Sequence, residues 1–192
     1  MSMPKGFKSD NGYATTKSLG GITYHKVASI MGEKGFKMNT IEKKLKSLRI
    51  IIPSAPVPAA NYVPCIISGN LAFVAGQIPF QDGKIIYTGK VGKDLDVSKA
   101  KEVARLCALN IIAVLKNTLD GDLARVKKCV KLGIFVSCVE NFNQQPEVAN
   151  GASDLMIEVF GEIGKHARFA VGTNNLPRNV PVEVDGIFEI SK

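Results

Sequence analysis

Arg168 lies inside His166-Ala167-Arg168-Phe169-Ala170-Val171-Gly172, and Pro181-Val182-Glu183-Val184-Asp185 follows on an alternating pattern. A guanidinium stays charged, and its planar fork grips a carboxylate through two parallel hydrogen bonds. One cation and two carboxylates on neighbouring strand-like segments therefore suggest a site for a small acid. The same residues also fit a plain ion pair of Arg168 with Glu183 or Asp185, because such pairs are common at strand ends. His166 shares a face with Arg168 if the segment is extended. It reads either as a proton shuttle or as a partly exposed loop histidine.

Other chemistries fit the chain less well. Cys65, Cys107, Cys129 and Cys138 have no Cys-x-x-Cys spacing and only His25 and His166 beside them, so a zinc site is not expected. Cys129 and Cys138 fall at odd separation in one strand-like run, so they are expected on opposite faces, as free thiols of a reducing compartment. Gly89-Lys90-Val91-Gly92-Lys93 has the wrong spacing for a phosphate loop and no Ser or Thr after the lysine. It reads as a plain glycine loop.

Composition places the 192 residues, 45% hydrophobic and 22% charged, among globular chains with one sizeable core. No apolar run approaches the roughly 20 residues that span a bilayer, and no secretory signal is expected. The net charge is +8. Residues 1–37 hold Lys5, Lys8, Lys17, Lys26, Lys34 and Lys37 against Asp10 and Glu33, a net +4 in a basic N-terminal extension. That extension has room for a short strand around Gly21 to Val27. Its hydroxyl content and low acidity resemble a mitochondrial leader, although it lacks Arg. The expected compartment is cytoplasmic, with mitochondrial as the alternative. In the main body basic and acidic residues are interspersed, which disfavours nucleic acid.

The elements that must position Arg168 and Glu183 follow from periodicity. Asn39 or Thr40 caps a helix carrying Ile41, Leu45 and Leu48, and prolines 53, 56 and 58 make an extended connector. Cys65–Ser68 and Leu71–Ala75 form a hairpin across Gly69-Asn70, and Lys84–Thr88 is a third short strand. Ser98 caps a helix to about Leu119, with Val103, Leu106, Cys107, Asn110, Val114 and Leu115 on one stripe. Val126–Val139 is a strand in which Val130, Leu132, Ile134, Val136 and Cys138 share a face. A second helix runs from about Glu147 to Ile163. Arg168–Gly172 and Pro181–Ile190 are the last strands, the latter with Val182, Val184, Gly186, Phe188 and Ile190 on one face. This order predicts an α+β fold, a mixed sheet with both helices on one face. The other face is apolar enough to call for a second copy.

Several motifs, in order, carry a resemblance. Asn61-Tyr62-Val63-Pro64, Ser68-Gly69-Asn70-Leu71-Ala72-Phe73-Val74-Ala75-Gly76-Gln77-Ile78-Pro79, Ala167-Arg168 and Leu176-Pro177-Arg178-Asn179-Val180-Pro181-Val182-Glu183 resemble the Rid family, also called YjgF or L-PSP. The resemblance covers residues 38–192, the Rid/YjgF-like domain. Ala104-Arg105-Leu106-Cys107-Ala108-Leu109-Asn110 and Asn150-Gly151-Ala152-Ser153-Asp154-Leu155 place it in a divergent branch.

That resemblance implies a chorismate-mutase-like fold and a homotrimer with clefts between adjacent subunits. It implies hydrolysis of reactive enamines and imines, such as 2-aminoacrylate, to a 2-keto acid and ammonia. Arg168 matches the arginine that holds the substrate carboxylate, Glu183 the carboxylate that positions water, and Tyr62 the aromatic that closes the cleft. Gly76 and Gln77 match the turn lining the pocket. Asn150 matches a family asparagine after a one-residue shift, and Ala170 stands where the better-known branch has Cys. Ala75 replaces a Ser and His166 a Pro, differences that bear on the substrate rather than on the arginine. The chemistry needs no metal or organic cofactor, since an iminium carbon is already electrophilic. The expected partners are a small carboxylate-bearing substrate and the protein itself, with no membrane. Two alternatives stay open: an endoribonuclease or translation inhibitor of the L-PSP type, with RNA as partner, and a non-catalytic binder of small carboxylic acids.

Overall fold

The computed structural model describes residues 40–55 and 61–191. The extension over 1–37 with its strand and targeting role, Asn39 as a cap, and residues 56–58 of the connector lie outside the described residues. Helix α1 spans Thr40–Ser47 and buries Ile41 and Leu45. Leu48, expected on the same stripe, is 38% exposed, because the chain leaves the helix after Ser47 and Arg49 turns to a φ of 54°.

Strands β1 (Cys65–Ser68) and β2 (Leu71–Gln77) form the expected hairpin. Gly69 alone takes positive φ, 63°, the pattern of a turn whose first central residue must be glycine. The third expected strand is cut short. Only β3 (Phe80–Gln81) and β4 (Lys84–Ile85) pair, as a separate two-stranded ribbon. The chain then turns away, Ile86 N–H donating to the Pro79 carbonyl at 3.1 Å.

Helix α2 spans Val97–Thr118 and starts at Asp96, not Ser98, because the Asp96 carboxylate accepts from the Lys99 N–H at 2.7 Å. Helix α3 spans Gln145–Phe160, starting before Glu147 with Pro146 in its first turn. It ends in a 3-10 turn over Gly161–Gly164.

Strands β5 (Val126–Ser137), β6 (Ala167–Thr173) and β7 (Val182–Ile190) complete a sheet of order β1-β2-β7-β5-β6. All its pairs are antiparallel except β5 with β6. The expected alternation of β7 holds throughout, Val182, Val184, Gly186, Phe188 and Ile190 being buried. In β5 it fails at one end: Val130 is exposed and Cys129 is buried. A bulge between Cys129 and Lys131 shifts the register and reverses the phase of the side chains before it. Cys129 and Cys138 therefore join one core rather than opposite faces. Among the described residues all four cysteines are free, and burial pushes the Cys129 thiol up to about 12.

Helices α2 and α3 pack on each other and on the sheet face that carries Leu132, Ile134, Val136, Val184 and Phe188. The other face is open. Ile66 and Phe73 are exposed there, and Phe135 and Phe169 meet edge to face at 5.3 Å. The Lys131 ammonium sits 5.3 Å from the Phe169 ring centre, a cation over an aromatic face. Among the described residues no helix is long and apolar enough to cross a membrane, and no group of three His, Cys, Asp or Glu could hold a metal ion.

Candidate functional site

Strand β6 is an edge strand, and its register with β5 sets Arg168 beside Leu132, whose other neighbour is Gly186. Residues level with each other across a sheet share a face, so Arg168 points to the helix side. There α3 offers Pro146, Asn150 and Ser153, spaced four and three residues apart, on the stripe that meets β6. The Arg168 Nη1 donates to Asn150 Oδ1 at 2.8 Å and to Ser153 Oγ at 3.0 Å, and Nη2 donates to the Pro146 carbonyl at 3.1 Å. All three acceptors are neutral. Of the five N–H donors of a guanidinium, Nε–H and one Nη2–H remain without a partner among the described residues. Arg168 takes part in none of the four ion pairs found among them. A held, half-buried and uncompensated cation with two spare donors has the chemistry to take an anion.

The plain ion pair with Glu183 or Asp185 is overturned by topology. Strands β6 and β7 are not neighbours, since β5 runs between them. Glu183 is level with Phe135 and Asp185 with Gly133, on the open face. From strand spacing and rise, the Arg168 and Glu183 Cα atoms lie about 14 Å apart, with side chains on opposite faces.

Glu183 has its own setting. A second irregularity, between Val74 and Gln77 in β2, leaves Gly76 beside it. A Cβ added at Gly76 would lie 2.0 Å from Glu183 Oε1. Desolvation, helped by the nearby charge of Asp185, raises the Glu183 carboxyl above its ordinary range. Asp185 is raised by burial too, against a hydrogen bond from the Gly133 backbone and the Lys131 charge. Gln77, expected to line the pocket, is buried and level with Val184 on the helix side. Its Nε2 donates to the Ala75 carbonyl at 3.0 Å, so it braces the bulge that places Gly76. Tyr62 is 50% exposed in the segment before β1, at the sheet edge opposite β6. Ala170 faces α3 from β6 and packs against the core.

The candidate residues thus fall into two groups, one of Arg168, Asn150 and Ser153 with Ala170 on the same strand face, the other of Glu183 and Gly76 on the open face. Ser153 is the residue that sequence reasoning missed. Its signal was present, three residues after Asn150 on the same helical stripe.

His166 enters β6 with its ring half-buried against α3. Its Nε2 lies 3.0 Å from Ser153 Oγ and its Nδ1 2.6 Å from the Gly164 carbonyl. It is on the Arg168 side, as an extended segment required.

A family model described as "YjgF/chorismate-mutase-like, putative endoribonuclease" matches residues 42–187. Protein TCP17 of Trypanosoma cruzi is 44% identical over 152 residues, 79% of this chain and 94% of that protein. A 2-iminobutanoate/2-iminopropanoate deaminase of Dermatophagoides farinae is 29% identical over 141 residues, 73% of this chain and 94% of its own length. The crystal structure of a protein of unknown function from Agrobacterium tumefaciens superposes with a TM-score of 0.73 at 50% identity, covering 79% of this chain and 94% of that one.

Proposed function

Because the chain belongs to the YjgF/chorismate-mutase-like family, we propose that it hydrolyses small 2-imino and enamine acids to the 2-keto acid and ammonia. The observation that carries this reading is Arg168, held by three neutral acceptors with two donors to spare. A carboxylate taken on that fork places the adjacent imine carbon within reach of a water molecule. The deaminase named among the relatives acts on acids of this class.

The reaction adds water across the carbon–nitrogen double bond. The new carbon–oxygen bond forms as the π pair moves to nitrogen, giving a carbinolamine. Glu183 takes a proton from the attacking water and passes it to nitrogen, then carries the remaining hydroxyl proton to the same nitrogen, so that ammonia leaves with the carbon–nitrogen pair as the carbonyl forms. A carboxyl raised by desolvation suits both transfers, being a stronger base than an exposed one. Atoms and charge balance without a cofactor.

Half-sites about 14 Å apart on opposite faces of one sheet do not meet within one copy. The proposal therefore includes a closed homotrimer, in which Arg168 and Asn150 of one copy face Glu183 and Gly76 of the next. Tyr62 closes the cleft from the β1 edge. The open apolar face supplies surface for such contacts. Cytoplasmic residence belongs to the same reading, with mitochondrial import through residues 1–37 as its alternative.

The test is ammonia release from 2-iminobutanoate generated in place. The wild type should release ammonia faster than buffer alone, and Arg168→Ala should not. Mixed assemblies of Arg168→Ala with Glu183→Gln should recover activity, because some interfaces then join two intact halves. Absence of recovery in proven mixed trimers would reject the shared site. Cleavage of RNA by the wild type, with no ammonia release, would favour the endoribonuclease reading instead.

A further inference from the structure

Ser153 and His166 take no part in the bond changes just described, yet Ser153 Oγ accepts from the arginine at its centre and His166 is bonded in turn to Ser153. We propose that His166, acting through Ser153, is a positioning residue that makes the Arg168 site bind carboxylates more tightly in the imidazolium form. The inference rests on Arg168 being the carboxylate site.

The hydrogen-bond directions follow from the partners. The Gly164 carbonyl can only accept, so His166 Nδ1 carries a proton and donates to it at 2.6 Å. In neutral imidazole Nε2 is then the acceptor, and Ser153 Oγ–H donates to it at 3.0 Å. Arg168 Nη1 donates to the same oxygen at 3.0 Å. The hydroxyl is thus tied down, its proton turned away from the arginine fork. Protonation of His166 reverses one bond. Nε2–H now donates to Ser153 Oγ, both lone pairs of that oxygen are engaged, and the hydroxyl proton is free to swing to an acceptor beside Arg168. A bound carboxylate supplies that acceptor, and the imidazolium adds a positive charge near it.

A serine nucleophile is the other reading of a hydroxyl next to an imidazole. It fails here because Arg168 donates to the Oγ lone pair that would attack.

The charged groups on the elements around His166 leave its ring to Ser153 and Gly164. Glu162 and Lys165 on the preceding turn pair with each other at 2.9 Å. On α3, Asp154 pairs with Lys101 at 2.9 Å and Glu158 with Arg105 at 2.7 Å, while Glu147 lies in the first turn. On β5, Lys131 lies over Phe169 on the open face, and on β6 Arg168 is the partner already described.

The test uses 2-oxobutanoate, whose carboxylate stays ionised across the imidazole range. Its Kd is measured calorimetrically from about pH 5.5 to 8.5 for wild type, His166→Asn, Ser153→Ala and Arg168→Ala. For the wild type, binding should tighten roughly tenfold as pH falls through the imidazole titration, the scale of one added charge-assisted hydrogen bond. His166→Asn should bind as the wild type does at high pH, with a flat profile, and Ser153→Ala should lose most of the slope while still binding. Linkage requires the same factor in reverse, so saturating 2-oxobutanoate should hold His166 in the imidazolium form to higher pH. Nitrogen NMR reads that protonation directly, since His25 is the only other histidine.

Arg168-dependent binding with a flat wild-type profile would overturn the inference and leave the carboxylate site standing. So would a neutral His166 protonated at Nε2, which the unmodified protein reveals even if a variant misfolds. No binding at any pH, or binding unchanged in Arg168→Ala, would overturn the site and the inference together.

Discussion

Replacing Gly76 by alanine tests whether the placement of Glu183 matters to the chemistry. The new methyl would stand 2.0 Å from Glu183 Oε1, 2.9 Å from its Cδ and 3.2 Å from its Cγ. Ordinary van der Waals contact begins at 3.4 Å, so the carboxylate oxygen must retreat by at least 1.4 Å. Gly76 has no positive φ, so alanine meets no backbone strain there. The obstacle is the end of a flexible side chain, which can swing aside with a cost to stability of about 1 kcal/mol or less. Misplacing a catalytic group by about 1 Å costs on the order of a hundredfold in rate. Gly76→Ala should therefore lower kcat for ammonia release about a hundredfold, with Tm and the Kd for 2-oxobutanoate nearly unchanged. Single-turnover ammonia release with thermal melts measures both sides of that statement. The double variant Gly76→Ala/Glu183→Gln should be no slower than Glu183→Gln alone, since both act on one group. A Gly76→Ala protein that turns over at the wild-type rate would refute the role given to Glu183.

Glu183→Gln should itself lower kcat far more than it weakens 2-oxobutanoate binding, because the carboxylate of the ligand is held by Arg168 in the other half-site; equal losses in steady-state rate and in calorimetric Kd would contradict that division. Gly151→Ala should destabilise the fold by about 2–4 kcal/mol in denaturant titrations, because its Cβ would lie 1.9 Å from the backbone carbonyl of Lys101, where α2 and α3 touch and neither backbone can give way easily. Asp185→Asn should raise stability at pH 7 but not near pH 3.5. The folded state holds the Asp185 proton above the ordinary 3.8, so the wild type loses stability as pH rises through that value to the raised one, and the amide removes the loss. Paired melts at the two pH values check the sign.

Periodicity and residue type determined much of this protein without help. The alternation of Val182 to Ile190, the apolar stripe of α2 and the glycine of the β1–β2 turn are local consequences of side-chain period and backbone freedom, and each is found as read except that Leu106 of the stripe stays half-buried. Arg168 stood out in the sequence as a candidate for holding an acid because a guanidinium has one dominant chemistry. Its relation to Glu183 was not legible. Closeness in sequence suggested neighbouring strands, but β5 enters between β6 and β7, and strand order is set by long-range packing. The bulges at Cys129 and Gly76 were equally hidden, since one extra residue reverses every side chain before it while leaving the composition unchanged. Ser153 and His166 became partners only when α3 settled against the edge strand. The sequence by itself determined which groups exist and which elements carry them. The tertiary structure decided which groups meet, because hydrogen bonds act over about 3 Å and only the packed fold brings residues 153, 166 and 168 within that range.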